Sequence, residues 1–390
     1  MSRKKWSFEL VKYIFNPFSI YSFIFIFILL IYPLGWSDIQ PNLTLDLVIF
    51  IFTTVFLGVI LSVIYKKIFL NFDYQEIKLK NKLVWFFVLL GTTAEFLYGG
   101  IPIIKVLSGQ YHDYFNWGVP TFHAFFLPYI ISAGLISLYN FINSNNKNEL
   151  LLYIFSIFFC VSIINRGAVI FLLFSSLVIY FLVRNSITFK KIIYTFFGGL
   201  LTLYLFGVIG NYRMMSSGYQ GNEFILIVGQ ANNNFYQSGV PTEFFWSYLY
   251  LVTPLSNLQY RFNNIPMNVD IMDTFKYHIL IDFLQKRIFS KDEFNGLLIK
   301  EEFNVSTMYG DVLQTSGIGG GVVLYFWYIL VVLFITYITP KKYKIVVVGI
   351  LCCISVLQCF TNIMVVAGYG LPPVLIALLS RFNCGKNRII

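Results

Sequence analysis

Five residues could carry chemistry at points where apolar sequence gives way to polar sequence: Arg166, Arg213, Arg261, His278 and Asp311. Arg166 stands in Asn165-Arg166-Gly167, at the middle of the otherwise apolar run Leu151–Leu182. Arg213 closes Gly210-Asn211-Tyr212-Arg213, where another apolar run ends. Arg261 follows the aromatic stretch Phe244-Phe245-Trp246-Ser247-Tyr248-Leu249-Tyr250. A guanidinium keeps its charge and grips phosphate oxygens in pairs, so arginines beside apolar sequence suit a pyrophosphate carried on a lipid. His278, in Lys276-Tyr277-His278, and Asp311, in Tyr309-Gly310-Asp311, could take a proton from a hydroxyl, a contribution of about 10²–10⁴ in rate.

Each of these has a plainer reading. Arg166 and Arg213 also fit as interfacial anchors whose stems lie along apolar surface. Arg261 fits as a surface arginine, His278 as a solvated helix residue, and Asp311 as an acid at a helix start, favoured by the helix dipole. Glu95 lies inside an apolar run, which makes it a functional candidate, with an ion pair to Lys105 or another buried cation as the structural alternative. His112 and His123 bracket Asp113 without metal-ligand spacing, and His123 reads as packing within its helix. The chemistry needs neither metal nor cofactor.

The elements that must hold these residues follow from composition. Of 390 residues, 57% are hydrophobic and 12% charged, with a mean hydropathy of +0.72. A soluble domain carries about 25% charged residues, so the chain reads as all-α, a polytopic integral membrane protein. Long continuous apolar runs exclude a β-barrel, whose strands alternate. Ten spans are expected, near 18–36, 43–65, 83–107, 119–140, 150–164, 167–183, 192–210, 317–338, 345–366 and 368–381. The run around Arg166 is too long for one span of about 20 residues. Asn165 and Gly167 turn it into a hairpin whose first arm rises only about 22 Å, so the tip is expected below the membrane surface in a protein-lined recess.

Lys and Arg set the orientation. With the N-terminus in the cytoplasm, 19 of the 28 fall on the cytoplasmic side, and ten spans return the C-terminal basic tail to that side. The net charge of +10 therefore reflects topology and not nucleic-acid binding. No cleavage site follows the first apolar run, so it reads as a retained anchor. The chain then divides into a membrane bundle at 1–210, a large outer loop at 211–316 and a last membrane segment at 317–390. In the loop, ten acids face seven basic residues, with 19 aromatics. Phe244–Leu258 reads as a re-entrant or interfacial helix, because Pro254 and polar flanks disfavour a full span.

Asn165-Arg166-Gly167 opening a span, Tyr212-Arg213 after a span, and Phe303-Asn304-Val305-Ser306-Thr307 with Gly310-Asp311 and Ser316-Gly317-Ile318-Gly319 before another resemble the oligosaccharide repeat-unit polymerases, also called O-antigen polymerases. The order of spans, with one large outer loop before the last three, is similar as well. The resemblance implies a bacterial inner-membrane glycosyltransferase that joins undecaprenyl-pyrophosphate-linked oligosaccharide units, donor and acceptor, on the periplasmic face. Membrane lipids, a flippase and a chain-length regulator would be its partners. The related O-antigen ligases carry Pro-His-Asn where this chain has Asn304-Val305-Ser306-Thr307, which leaves the base as His278, Asp311 or no protein group. Two further readings stand beside it. A flippase would show repeated halves, which this chain lacks. A transferase fed by lipid monophosphate sugars would need an acid in the first outer loop, where Asp38 lies.

Overall fold

The computed structural model describes residues 3–77, 80–108, 117–185, 188–215, 221, 223–289 and 296–385. It is helical throughout, with no strand among the described residues and one bridge between Ser37 and Ala231. The first helices are α1 (Arg3–Ile14), α2 (Pro17–Ile31), α3 (Leu45–Phe69), α4 (Asn81–Gly99) and α5 (Pro102–Leu107). The next are α6 (Phe122–Ser144), α7 (Lys147–Ser162), α8 (Arg166–Arg184) and α9 (Phe189–Met215). The polar segment holds α10 (Glu223–Val228), α11 (Asn233–Gln237), α12 (Phe244–Asn263), α13 (Ile271–Thr274), a π turn at Phe275–Ile279, and α14 (Asp282–Ile288). The chain closes with α15 (Gly310–Ile338), α16 (Lys344–Leu357) and α17 (Ala367–Gly385).

Seven of these stretches are long and apolar enough to cross a membrane: Pro17–Leu34, Leu45–Phe69, Asn81–Leu107, Phe122–Ser144, Arg166–Arg184, Lys190–Met215 and Gly310–Ile338. Each of the ten expected spans is helical, but α7 and α16, at 16 and 14 residues, are short of the roughly 20 a bilayer needs. Two boundaries differ from the sequence reading. The helix expected to begin at Gly317 begins at Gly310, and Gly317 interrupts it at φ 62° and ψ −164°, a conformation that only glycine adopts without strain. The helix expected over 345–366 ends at Leu357.

α16 is the axis of the bundle. It packs against α8, α2 and α17, and 12 of its 14 residues are buried, as fits a helix apolar on every face. In α9 only 6% of the apolar window is buried, so its apolar faces are left to lipid. Buried tyrosines tie α15 to the helices around it, since a hydroxyl in an apolar interior needs a partner. Tyr21 donates to Thr54 (2.9 Å) and shares a 2.5 Å hydrogen bond with Tyr309, while Tyr325 donates to the Thr54 carbonyl (2.6 Å). This network fixes the start of α15, which carries Asp311 and Thr315.

The helix ends sort into two groups. At one, Asn140 clasps Ile77, Asn81 meets Glu149, and Lys344 reaches the Phe69 carbonyl. At the other, the turn at 32–44 meets α12 through Tyr248 and Gln259, and Asn362 meets the residue 278 carbonyl. The described residues of 211–309 gather at this second end, called here the loop end. α12 lies across it as a largely buried helix packed on α9, α15 and α2, because its aromatic face is covered by protein.

Candidate functional site

Two adjoining cavities open at the loop end. One, of about 410 Å³, is lined by Asp273, His278, Asp282, Asp311, Thr315 and Asn362 among others. Its neighbour, of about 380 Å³, is lined by Trp117, His123, Asn165, Asp282, Lys286 and Tyr369 among others. Asp282 and Val366 line both, so α14 and the start of α17 form the shared wall.

The acid-lined cavity brings His278 and Asp311 together. The stretch 270–286, which has helical spacing with mixed charge, forms α13, the π turn and α14 in place of one continuous helix. π turns gather at functional sites, and this one brings His278 to α15. Its Nε2 lies 2.7 Å from Thr315 Oγ1, one helical turn after Asp311. Asn362 Nδ2 donates to the His278 carbonyl at 2.7 Å. The residue is buried, which removes the solvated reading. Asp311 is not the cap of α15, a place held by Tyr309; its carboxylate accepts from Arg261 Nη1.

Arg261 is therefore neither a surface arginine nor open to a ligand. Its side chain is 4% exposed, with Nε donating to the Leu297 carbonyl at 2.9 Å, and it holds Asp311 in place. Lys276, beside this cavity, donates to Asp273, a bond that holds its ammonium pKa above the ordinary value. Arg213 lies elsewhere, exposed in the last turn of α9, where Trp246 Nε1 bonds Asn211 at 2.6 Å. Trp246 and Arg261 are 15 residues apart on α12, about 22 Å at 1.5 Å per residue.

The second cavity carries the hairpin tip. Ile164 takes a positive φ of 55°, and Asn165 caps α8, accepting from Ala168 N (2.9 Å) and from the Tyr369 hydroxyl (3.0 Å). Arg166 follows Asn165 as the first residue of α8. It is exposed and has no side-chain partner among the described residues, so the expected protein-lined recess does not enclose it. Lys286 lines the cavity, and Arg287 donates to Thr121 at its edge. Asp282 is shared with the other cavity, which Asp273 and Asp311 also face.

Glu95 does not pair with Lys105, whose ammonium donates to the Gly99 carbonyl at 2.7 Å. It is fully buried, accepts from Val119 N (3.1 Å) and faces His123 (3.3 Å). His123, expected to pack within its helix, instead lines the second cavity. Sequence order does not reveal this pair, because His112 lies nearer Glu95 along the chain than His123, and nothing in the sequence marks Lys286 or Tyr369. His112 and Asp113 lie outside the described residues. Asp38 accepts from Asn232 at 2.8 Å, closing the turn against α11. Among the described residues no group of three His, Cys, Asp or Glu could hold a metal. No family model, curated protein or solved structure matches the chain.

Proposed function

We propose that the chain is a bacterial inner-membrane polymerase of lipid-pyrophosphate-linked oligosaccharide repeat units, acting at the periplasmic face with both termini in the cytoplasm. The observation that carries this reading is the pair of adjoining cavities at the loop end of a membrane bundle, one faced by Asp273 and Asp311 and the other by Lys286, with Asp282 between them. The cations Arg166, Lys286 and Arg287 suit the pyrophosphate of a lipid-linked donor. Carboxylates and amides in the other cavity suit sugar hydroxyls of an acceptor unit, since each can hold two or more of them. Arg166 is the arginine best placed to meet the anion, and Arg261 acts by setting Asp311. A pyrophosphate already leaves readily, and fixed cations stabilise the charge it develops. Ten spans, counting α7, α16 and α17, give the sidedness that the basic residues ask for.

Glycan analysis of a deletion strain tests this. Loss of a polymerase leaves single repeat units on the cell surface. Absence of any surface unit would assign a ligase, and repeat units trapped inside the cell would assign a flippase.

A further inference from the structure

His123 and Glu95 form a carboxylate–imidazole pair at the second cavity that the reading above leaves unused. Glu95 is fully buried on α4, and only Oε2 is satisfied, by Val119 N. Oε1 lies 3.3 Å from His123 Nδ1, off line for a full hydrogen bond, and neither atom has another partner among the described residues. A buried carboxylate oxygen without a hydrogen bond is costly, and native proteins keep such groups for a reason. The loop between them is shaped for this approach. Gly118 has φ 98°, and a Cβ there would stand 2.6 Å from Glu95 Oε2 and 2.8 Å from His123 Cγ, so only glycine lets acid and imidazole meet beneath it. Trp117 stands edge-on to the imidazole at 5.2 Å and fixes its plane.

The two described histidines at the loop end are held differently. His278 has Nε2 engaged by Thr315 Oγ1. His123 has Nδ1 turned to a buried carboxylate, and its side chain, 26% exposed, lines the cavity. A proton on Nδ1, facing Glu95, leaves the lone pair on Nε2, on the far edge of the ring. A base oriented by a third group is the arrangement that activates hydroxyl nucleophiles.

We propose that His123 is the general base of glycosyl transfer and that Glu95 is its positioning residue; this rests on the polymerase reading and replaces His278 and Asp311 as the base. An acceptor sugar held in the acid-lined cavity extends one hydroxyl past Asp282 to His123. Nε2 takes the hydroxyl proton as the oxygen bonds to the donor's anomeric carbon. The bond from that carbon to the pyrophosphate breaks, and its electron pair leaves on the lipid pyrophosphate beside Arg166 and Lys286. The proton passes from His123 to water.

The test uses the full chain in proteoliposomes with lipid-linked repeat units extracted from the deletion strain. His123→Asn keeps a nitrogen donor toward Glu95 and removes Nε2, so the protein should elute and melt as the unaltered chain does. Its kcat should fall at least about 100-fold, with KM changed little. The limb of the pH–rate profile that reports the base should vanish. Glu95→Gln should lower kcat by less and displace that limb. Transfer by His123→Asn within threefold of the unaltered protein, or an unaltered pH limb, would overturn the base assignment alone. No transfer by the unaltered protein would instead overturn the polymerase reading and this proposal with it.

Discussion

The two cavities share a wall but differ in how their polar groups are satisfied. Around the acid-lined cavity the network closes on itself: Arg261 holds Asp311, Thr315 meets His278, and Asn362 ties down the His278 backbone. Around its neighbour the groups are left open: Glu95 Oε1 and His123 Nδ1 lack full hydrogen bonds, and Arg166 has no partner among the described residues. A closed network gives a rigid surface that can recognise a shape. An open one keeps donors and acceptors for something that arrives. Under the proposed function, recognition belongs to the first cavity and reaction to the second.

The comparison breaks first, if it breaks, at Asp311. Asp311→Ala leaves the buried Arg261 guanidinium without its carboxylate; because that carboxylate is itself 55% exposed, the loss is that of a charged hydrogen bond, about 1.5–3 kcal/mol in stability. Thermal unfolding in detergent should show it as the largest destabilisation at the loop end. A melting curve like that of the unaltered protein would mean the pair is not the brace described here. Glu95→Gln, although its site is more deeply buried, should change stability by no more than about 1 kcal/mol. The amide keeps an oxygen for Val119 N, and Oε1 had no hydrogen bond to lose. Equal destabilisation by the two variants would erase the distinction between closed and open networks.

Much of this was legible in the sequence. Hydropathy located ten helices, and the Asn165 and Gly167 turn signals placed the α7–α8 hairpin. His278 and Asp311 were singled out on residue type alone, and the fold brings them to one cavity. What was hidden depends on contacts distant along the chain. Arg261 and Asp311 are 50 positions apart, and no local pattern says that this guanidinium will be buried and taken. The π turn that presents His278 interrupts a stretch with good helical spacing. Glu95 meets His123 only because residues 117–121 lie against α4 through Val119, a contact distant along the chain, so a search for cations near Glu95 led to Lys105 instead.

Arg213 sharpens the comparison with a smaller effect. It has the same residue type and the same place at a span end as Arg166, but lies by Trp246, near neither cavity. Arg213→Ala should reduce polymer yield by less than about tenfold at matched protein level, as fits a surface substitution away from the site. A complete block would require a second anion site, on α9.

The most direct test of the whole account is the length distribution of surface glycans from cells carrying Arg166→Ala. An exposed arginine without a partner contributes little to folding, so the protein should be as abundant and as stable as the unaltered chain, within about 0.5 kcal/mol. Single repeat units and no ladder are expected. A full ladder at matched protein level would contradict that expectation and leave Arg166 as an interfacial anchor.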